Sequence, residues 1–285
     1  MRRLRSVPTS IRRPPYALDG IVPPPQNTIT LHRTSEEIEG LRKAGKLARK
    51  VLDLASSLAK PGVKPLQIDE AVHDAICAEN AYPAPLNYRG FPRSVCSSIN
   101  DEVCHGIPND TPLKSGDIAK FDASVFIREG FFGDNCGTVI VGEGDEEAKK
   151  LDETCKRALN QAIRAIGPGV CLSKIGDIIE SVAESEGFQS VKAYCGHGIG
   201  RGFHMLPFVQ HFKNDTYLPL REGMTFTIEP MLVAGSQDTF VSKEDEWTVC
   251  TVDGSRAAQY EHMILITADG VEVLTDSERF PEFSA

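Results

Sequence analysis

Acidic residues stand inside stretches of this sequence that otherwise have the pattern of buried β-strands. Asp122 interrupts the alternating run at 118–127, and Glu229 and Glu261 interrupt two further runs rich in β-branched and aromatic residues. Strands disfavour acidic residues, and an ionised carboxylate removed from water costs several kcal/mol unless a partner compensates it. One such residue could be explained by a salt bridge or an edge strand, but three of them indicate a shared cation.

A further carboxylate, Asp134, strengthens this indication. Asp122 and Asp134 are equally far in sequence from Arg128, which lies at a turn signal. Antiparallel pairing about that turn would bring the two carboxylates nearly opposite each other, where one would be protonated at neutral pH unless a metal neutralised both. Taken alone, Asp134 would be explained as an Asx-turn residue beside Gly133.

The chain also has 7 histidines that could add a nitrogen ligand. His197 lies between Gly196 and Gly198, which would leave room around its imidazole ring. His105 and His204 are further candidates, although an ordinary buried or surface histidine would explain any one of them alone. Four carboxylates and one imidazole suit two divalent ions such as Mn, Fe, Co or Zn, and the absence of thiolate ligands argues against a structural zinc.

Length and composition bound the class of protein that carries these residues. A chain of 285 residues forms one large or two small domains, and 41% hydrophobic with 25% charged residues is ordinary for a soluble protein. The net charge of −9 argues against a general nucleic-acid binder, and no apolar run reaches the ~18 to 20 residues of a membrane helix. The 8 cysteines include no C-x-x-C pair, which favours reduced thiols in an intracellular protein.

Two predicted helices precede the first acidic strand. Thr34 and Glu37 form a capping box, and apolar residues then recur at helical spacing until Pro61-Gly62 ends the pattern. The buried face of the second helix is predicted to carry Ile68, Val72 and Ile76. Strands are predicted at 118–127, with a turn at 128–130 and a partner strand at 138–141, and again at 225–231 and 257–267.

The opening helices occur twice in the sequence. The tripeptide Pro-Gly-Val at 61–63 recurs at 168–170, and the preceding helices align at the same offset of 107 residues (168 − 61). This repeat predicts two related α/β halves, 34–141 and 142–275, with the functional site between them. The halves are expected to form a single catalytic domain, 34–285.

The first 33 residues differ in composition from the rest. Residues 1–15 contain arginines and no acid, and a proline run follows at 23–25. They predict an extended, basic and Pro-rich N-terminal arm, 1–33, on the surface of the domain. A remnant of an organelle-targeting segment is the alternative, because Arg-rich and acid-poor starts suit import. The predicted location is cytoplasmic, with mitochondrion or plastid as the alternative.

Several longer strings resemble those of type I methionine aminopeptidases. They are SINDEVCHGIP at 98–108, GHGIGRGFH at 196–204, GMTFTIEPM at 223–231 and AQYEH at 258–262, with shorter matches at 87–92 and 247–249. Together they extend from about residue 35 to residue 275, in order and at the family's spacing. The short distance between Glu229 and Glu261 fits type I, because type II enzymes carry a large insertion there.

The resemblance implies an α/β (α+β) pita-bread fold, with two pseudo-two-fold-related halves around a curved antiparallel sheet. It implies two divalent metal ions (Co, Mn, Fe or Zn) as cofactors. The implied ligands are Asp122, Asp134, His197, Glu229 and Glu261, of which Asp134 and Glu261 would bridge the ions. The implied activity is that of a metalloprotease, an aminopeptidase that hydrolytically removes the initiator methionine from nascent proteins and peptides whose second residue is small.

The resemblance also implies roles for further residues. Glu229 would act as the general base on a water, His204 would hydrogen-bond to the substrate carbonyl oxygen, and His105 would contact the leaving peptide nitrogen. The methionine side chain would lie in a pocket matched here by Tyr88, Phe91, Cys96, Phe203 and Trp247. Because Trp247 is the only tryptophan of the chain, a large core residue is its alternative interpretation.

The sequence departs from the family pattern at three points. The hairpin between Asp122 and Asp134 is one residue longer than is usual, which predicts a β-bulge. Phe132 stands where the family often has histidine, and Met263 stands where it often has threonine. Both positions lie close to the implied ligands, so metal affinity or metal preference could differ from the family's.

Two other functions are compatible with parts of this pattern. A prolidase or Xaa-Pro aminopeptidase shares the ligand set but normally has a further N-terminal domain, whereas a non-catalytic protein that binds ribosomes or RNA would have lost ligands and gained a basic patch. The predicted partners are nascent polypeptide N-termini and Met-peptides, with transient ribosome docking as a hypothesis. No membrane, no direct nucleic-acid site and no stable oligomer is predicted, so the chain is expected to be a monomer.

Overall fold

A computed structural model of the chain describes residues 4–24, 28–32 and 34–276. Its helices in these ranges are α1 (Ser35–Leu58), α2 (Pro65–Ala78), α3 (Glu146–Arg164) and α4 (Ser173–Ser185), with 3₁₀ turns at Pro15–Ala17 and Tyr88–Gly90. Its strands are β1 (Tyr82–Pro83), β2 (Cys96–Ile99), β3 (Glu102–Cys104), β4 (Ile118–Phe126), β5 (Phe132–Ile140), β6 (Gln189–Ser190), β7 (Gly196–Gly198), β8 (Met205–Val209), β9 (Thr225–Ile228), β10 (Met231–Val233), β11 (Thr239–Val241), β12 (Val249–Thr251), β13 (Ala257–Gln259), β14 (His262–Ile266) and β15 (Val271–Val273).

The two predicted opening helices are confirmed. The Thr34 side chain accepts a hydrogen bond from the Glu37 backbone N–H while the Glu37 carboxylate accepts from that of Thr34, so both sides of the capping box are present. Helix α1 ends at Leu58, shortly before Pro61, because proline cannot continue a helix. Helix α2 buries completely the three residues predicted for its inner face, Ile68, Val72 and Ile76.

Strands β4 and β5 form an uninterrupted antiparallel ladder, from Ile118 opposite Ile140 to Phe126 opposite Phe132. The β-bulge predicted for this hairpin is therefore wrong. The connecting turn takes up the additional residue, with Gly130 at a φ of 85° that glycine adopts without strain.

The continuous register also changes the expected placement of the two aspartates. Asp122 pairs with Cys136, and Asp134 pairs with Ser124, so the aspartates are not directly opposite each other. Because Asp122 and Ser124 are two residues apart on β4, both carboxylates still project from the same face of the sheet. They are diagonal neighbours, which keeps them close enough to share a cation.

The later strands predicted as continuous are each broken at the acidic residue. Glu229 lies between β9 and β10, where Pro230 removes a ladder donor. Glu261 lies between β13 and β14, and its backbone N–H donates a 2.9 Å hydrogen bond to the carbonyl of Cys136 on β5. The breaks therefore place both carboxylates at the junction between the later strands and the β4–β5 hairpin.

Hydrogen bonds around the two Pro-Gly-Val turns repeat with the offset of the sequence repeat. The N–H of Gly62 donates to Leu113 at 2.7 Å, and the N–H of Gly169 donates to Leu220 at 2.8 Å. Both glycines have positive φ angles. These equivalent contacts support the proposed halves, 34–141 and 142–275, whose boundary stays a prediction.

The described part of the N-terminal region packs against the first half. Val7, Ile11 and Tyr16 are buried in one apolar cluster with residues of α1, α2, β4 and β5. Arg5 donates to the buried Asp69 carboxylate at 2.9 Å. The boundary of the proposed arm at residue 33 stays a prediction, and Arg2, Arg3 and residues 277–285 lie outside the described residues. In the described ranges, no helix has the length and apolar character that a bilayer span requires.

Candidate metal centre

One cavity of about 600 Å³ is lined by every side chain predicted for the site. The proposed ligands at its wall are Asp122, Asp134, His197, Glu229 and Glu261. The other predicted residues at its wall are His105, His204, Tyr88, Phe91, Cys96, Phe203 and Trp247. Residues from both halves of the chain thus meet in a single cavity.

The deepest part of the cavity is acidic. Asp134, His197 and Glu261 are 4%, 5% and 3% exposed, and one donor atom from each lies within 4.8 Å of the other two. Among the described residues, Asp134 Oδ1 has no hydrogen-bond partner although it is buried. Buried polar atoms are normally paired, so this oxygen fits a metal ligand whose ion would complete it.

The orientation of the His197 ring also fits a cation. Its Nδ1 lies 3.2 Å from the Gly198 carbonyl oxygen, so Nδ1 carries a proton and donates it there. The other nitrogen, Nε2, lies 3.5 Å from Asp134 Oδ2 and 3.7 Å from Glu229 Oε1. Burial disfavours a charged ring, but Asp134 and Glu229 raise the pKa of His197 above its usual value, so without a cation Nε2 would hold a proton and with one it would be a ligand. Ligand atoms about 2.1 Å from a shared ion lie roughly 3 to 3.5 Å apart from each other, so a metal ion between these atoms would account for their distances.

The electrostatics of the remaining carboxylates also favour a bound cation. Burial raises the pKa of Asp122 and of Glu261 well above the ordinary range, and the neighbouring Asp134 raises both further. Burial also raises the pKa of Glu229, to about 7. Several buried carboxylates crowded in this way repel one another when ionised, and divalent cations would compensate their charge.

Thr227 links two of the proposed ligands, and sequence analysis did not single it out. Its hydroxyl accepts a 3.1 Å hydrogen bond from the His197 backbone N–H and donates a 2.9 Å hydrogen bond to Glu229 Oε1. Thr227 and Glu229 are two residues apart along β9 and its end, so their side chains share a face. That spacing is the one sequence signal that could have identified Thr227.

His211 is a second missed residue. Its Nε2 accepts a 3.1 Å hydrogen bond from the backbone N–H of Glu229, and burial lowers the pKa of His211 to about 3. The imidazole is therefore neutral and can accept. Its distance in sequence from Glu229, with no motif around it, gave no signal of this contact.

The glycines beside His197 serve a different purpose from the one predicted. A Cβ at Gly196 would lie 2.3 Å from the Thr227 carbonyl oxygen, and a Cβ at Gly198 would lie 2.1 Å from that of Leu206. These are backbone atoms of neighbouring chain segments, so the glycines permit close approach of the main chains. They do not serve mainly to leave room around the imidazole.

Two further histidines lie next to the acidic end. The His204 ring centroid is 4.2 Å from that of His197. Although part of the residue is exposed, partial desolvation by the cavity wall and the charge of His197 lower the pKa of His204. Burial lowers the pKa of His105 to about 4. Both imidazoles are thus neutral near pH 7, and each can donate one hydrogen bond to a substrate.

An apolar pocket opens from the same cavity. Phe91, Cys96 and Ile107 form a buried cluster, and Trp247 packs against it with its ring 5.0 Å from Phe91 in an edge-to-face arrangement. The His105 ring lies 6.3 Å from that of Trp247. Trp247 thus lines the cavity rather than lying within the main core.

Both atypical residues near the ligands are fully packed. Phe132 is 2% exposed and stacks on Phe203, with parallel rings 4.9 Å apart. Met263 is completely buried, and its backbone N–H donates to the hydroxyl of Thr275 at 3.0 Å. Phe132 therefore supports an aromatic wall of the cavity, and Met263 belongs to the core beside Glu261.

Comparison with known proteins identifies the family. Residues 39–268 match the model of metallopeptidase family M24. Methionine aminopeptidase 1D, chloroplastic/mitochondrial, of Arabidopsis thaliana is 45% identical over 271 residues, which cover 95% of this chain and 77% of that protein. The crystal structure of methionine aminopeptidase from Rickettsia prowazekii matches with a TM-score of 0.85 and 44% identity, over 87% of this chain and 100% of that one.

A more distant structure shares only the fold. The prolidase from Pyrococcus horikoshii matches with a TM-score of 0.69 at 22% identity, over 87% of this chain and 64% of that one. Methionine aminopeptidases and prolidases have the pita-bread fold, so the predicted fold class is confirmed. Family membership also implies the use of divalent metal, as the buried donors of this cavity require. The chain therefore belongs to metallopeptidase family M24.

Proposed function

We propose that this protein is a methionine aminopeptidase that removes the initiator methionine from nascent proteins and peptides with a small second residue. The observation that carries the proposal is one cavity that combines a buried acidic end with an apolar pocket around Phe91 and Trp247. Such a pocket suits a methionine thioether, which packs well against aromatic rings. The names of the Arabidopsis and Rickettsia relatives support the same activity.

We infer that the acidic end holds two divalent ions. Asp134 and Glu261 would bridge them, Asp122 would hold one, and His197 with Glu229 would hold the other. When bound, divalent ions in such a pair lower the pKa of a coordinated water and polarise the scissile carbonyl. The oxygen-rich ligand set with one nitrogen suits Mn, Fe, Co or Zn.

The protein's own groups would handle the proton and the developing charge. Glu229 would accept a proton from the attacking water and pass it to the leaving amine, with Thr227 holding the carboxylate in place. The neutral His204 would donate a hydrogen bond to the carbonyl oxygen as its negative charge grows. His105 would contact the peptide nitrogen of the leaving group.

Peptide hydrolysis by the metal-loaded enzyme tests the proposal. Chelated protein, reloaded with Mn or Co, should cleave Met-Ala-Ser but neither Met-Lys-Ser nor Ala-Pro-Ala. Asp134→Ala and His197→Ala should abolish cleavage of Met-Ala-Ser while keeping the circular dichroism spectrum of the parent. Cleavage of Ala-Pro-Ala alone would instead indicate a proline-directed peptidase, and absence of cleavage with every metal would favour a binding protein.

Cellular location and partners also remain proposals. Cytoplasm is the location predicted from the sequence, whereas the Arabidopsis relative is named as a chloroplastic/mitochondrial enzyme, which supports the organelle alternative. A fluorescent fusion of the full chain, compared with a variant in which Arg2, Arg3 and Arg5 are replaced by Gln, distinguishes the two. Ribosome pelleting at low and high salt tests docking, and sedimentation tests the expected monomer.

A further inference from the structure

The N-terminal segment, residues 4–24, reaches the candidate active-site cavity. Val22 and Pro23 line this cavity together with the residues already described. The segment is anchored just before them by Tyr16, which is 3% exposed and donates a 2.6 Å hydrogen bond to the Ala84 carbonyl. The Tyr16 ring also meets the ring of Tyr88 edge-on at 5.1 Å, so the anchor touches a side chain of the cavity wall.

A second contact holds the segment between this anchor and the cavity. The Asn87 side-chain amide donates a 3.1 Å hydrogen bond to the carbonyl of Ala17. Gly20, whose φ of 75° favours glycine, also lies beside Asn87, and a Cβ there would be in ordinary contact with the Asn87 carbonyl oxygen at 3.4 Å. The position of Val22 and Pro23 is thus determined by packing against the protein body.

The mouth of the cavity carries several apolar side chains on a rim that also includes the exposed, charged Arg89 and Glu246. Phe208 of β8 is 47% exposed and Val241 of β11 is 46% exposed, although both line the cavity. Val22 is half-buried and Pro23 is exposed. Side chains that line a cavity and also contact solvent must lie toward its opening, so these four residues, from three separate segments, lie at the exit beside Arg89 and Glu246.

We propose that Val22, Pro23, Phe208 and Val241 form an apolar collar that binds the third and fourth residues of the substrate peptide and favours apolar side chains there. This inference rests on the proposed function. With methionine in the pocket beside Trp247 and the scissile bond at the acidic floor, the rest of the peptide can leave only through the mouth. An extended chain advances ~3.3 Å per residue, so the residues after the second pass the collar.

The collar would act on substrate selection and not on the chemical step. Contact between these partly exposed side chains and apolar side chains of the substrate lowers the free energy of binding, because it removes apolar surface from water. The expected preference is modest, since the collar stays open to solvent on one side. We expect kcat/KM to be roughly fivefold or more higher for a peptide with leucine at the third and fourth positions than for one with serine there. Small apolar contacts in substrate pockets change kcat/KM by factors of this order.

Two peptides and two matched pairs of variants test the collar. The peptides are Met-Ala-Leu-Leu and Met-Ala-Ser-Ser, and the measurement is the ratio of their kcat/KM values with the Mn-loaded full chain. Val22→Ser and Val241→Ser should bring this ratio toward one. The controls Ile21→Ser and Phe240→Ser change exposed apolar neighbours that do not line the cavity, and they should keep the parent's ratio.

Each outcome decides a separate question. Equal cleavage of both peptides by the parent, or an unchanged ratio in Val241→Ser, would overturn the collar and leave the proposed function standing. Failure of the parent to cleave either peptide would overturn both. If Val22→Ser does not fold, Val241→Ser with its Phe240→Ser control still decides the matter, because Val241 lies on a different segment.

Discussion

The position of Glu229 depends on a single threonine. The Thr227 hydroxyl contacts both the His197 main chain and the Glu229 carboxylate, so it couples two proposed ligands of one ion. Such supporting contacts orient ligands and typically change metal affinity by about 10- to 100-fold when removed. Thr227 is completely buried, so water cannot replace the hydroxyl.

We therefore expect Thr227→Val to weaken metal binding by about 10-fold or more, because valine keeps the shape but not the hydrogen bonds. Calorimetric titration of the chelated protein with Mn measures this, and Thr227→Ser should restore most of the affinity. Thr225→Val is the matched control on the same strand. Its hydroxyl donates to the Ile199 carbonyl and to no proposed ligand, so it should bind Mn as the parent does. Equal affinities in Thr227→Val and the parent would contradict the role of Thr227.

At this scale the sequence predicted the acidic residues and missed their supports. An acid within an apolar strand costs free energy, so its presence is a signal by itself. A threonine in a strand has no free-energy cost, so its presence does not indicate a functional role, as Thr227 illustrates. The contact of His211 with Glu229 arises only from folding, because 18 residues of irregular and extended chain separate them.

Glycines bring helix α1 against strand β5. A Cβ at Gly133 would lie 2.1 Å from the Ala44 carbonyl oxygen of α1, whereas a Cβ at Gly137 would lie 3.4 Å from the end of the flexible Leu52 side chain. The first distance is impossible without moving the helix, and the second is an ordinary contact. The two glycines belong to one strand and point to the same face, which makes them a matched pair.

We expect Gly133→Ala to lower the free energy of unfolding by about 2 kcal/mol or more, because the added methyl group forces α1 away from the sheet. Gly137→Ala should be neutral or stabilising by about 0.5 kcal/mol, since it reduces the freedom of the unfolded chain. Urea unfolding of the metal-free variants measures both. A Gly133→Ala protein as stable as Gly137→Ala would show that α1 can shift without cost.

Helix α3 is attached to the segment preceding Glu261 through a half-buried acid, Asp152. The Tyr260 hydroxyl donates a 2.8 Å hydrogen bond to Asp152 Oδ1. Burial raises the pKa of Asp152 to about 6, although the bond from Tyr260 opposes this. The folded state therefore binds this proton more tightly than the unfolded state, so stability falls as pH rises from about 4 to about 6 and stays lower above that.

Asp152→Asn should remove this loss of stability at higher pH. Its amide oxygen can still accept from Tyr260, and it carries no charge. We expect the metal-free variant to be about 2 kcal/mol more stable than the parent near pH 8 and nearly equal to it near pH 3.5, below the pKa of the unfolded aspartate. Glu153→Gln, an exposed neighbour on the same helix, is the control: its charge raises the pKa of Asp152 less than burial does, so its pH-dependent difference should be much smaller. A gain of the same size at both pH values would contradict the assigned titration.

The opening helices and β4 were predictable to within a few residues. The start of β5, predicted at residue 138 but found at Phe132, and the later strands were not. Capping boxes and Pro-Gly pairs are local signals, so the limits of α1 follow from neighbouring residues. The breaks at Glu229 and Glu261 depend on pairing with distant segments, such as the bond from Glu261 to Cys136. Composition alone therefore predicted continuous strands where tertiary pairing interrupts them.

The site lies where two similar halves face each other. The offset of 107 residues relates Asp122 to Glu229, and it relates the start of β4 at Ile118 to the start of β9 at Thr225. Equivalent strands thus supply equivalent carboxylates from opposite sides of the cavity. The repeat accounts for this pair of carboxylates alone, because Asp134, His197 and Glu261 have no acidic or imidazole counterpart at that offset.

At the scale of the whole molecule, the N-terminal segment is part of the protein body. The sequence predicted an extended surface arm because it is basic and rich in proline, and composition cannot indicate which of its few apolar residues become buried. Tyr16 is the central contact, since it bonds to Ala84, meets Tyr88 and stacks on Phe132 at 6.5 Å. Its burial connects the segment to the aromatic wall of the cavity.

We expect Tyr16→Ala to lower the free energy of unfolding by about 3 kcal/mol, because it removes a buried aromatic ring and leaves a cavity. Tyr16→Phe should cost only about 1 kcal/mol, since it loses the hydrogen bond to Ala84 but keeps the ring. The control is Leu18→Ala, whose side chain is 81% exposed and should have no effect. Thermal unfolding measures stability, and limited trypsin digestion reports release of the segment by cleavage after Arg5 or Arg12. If Tyr16→Ala has the melting temperature and trypsin resistance of the parent, the segment contributes nothing to stability. The position of Val22 and Pro23 at the mouth of the cavity then cannot depend on Tyr16.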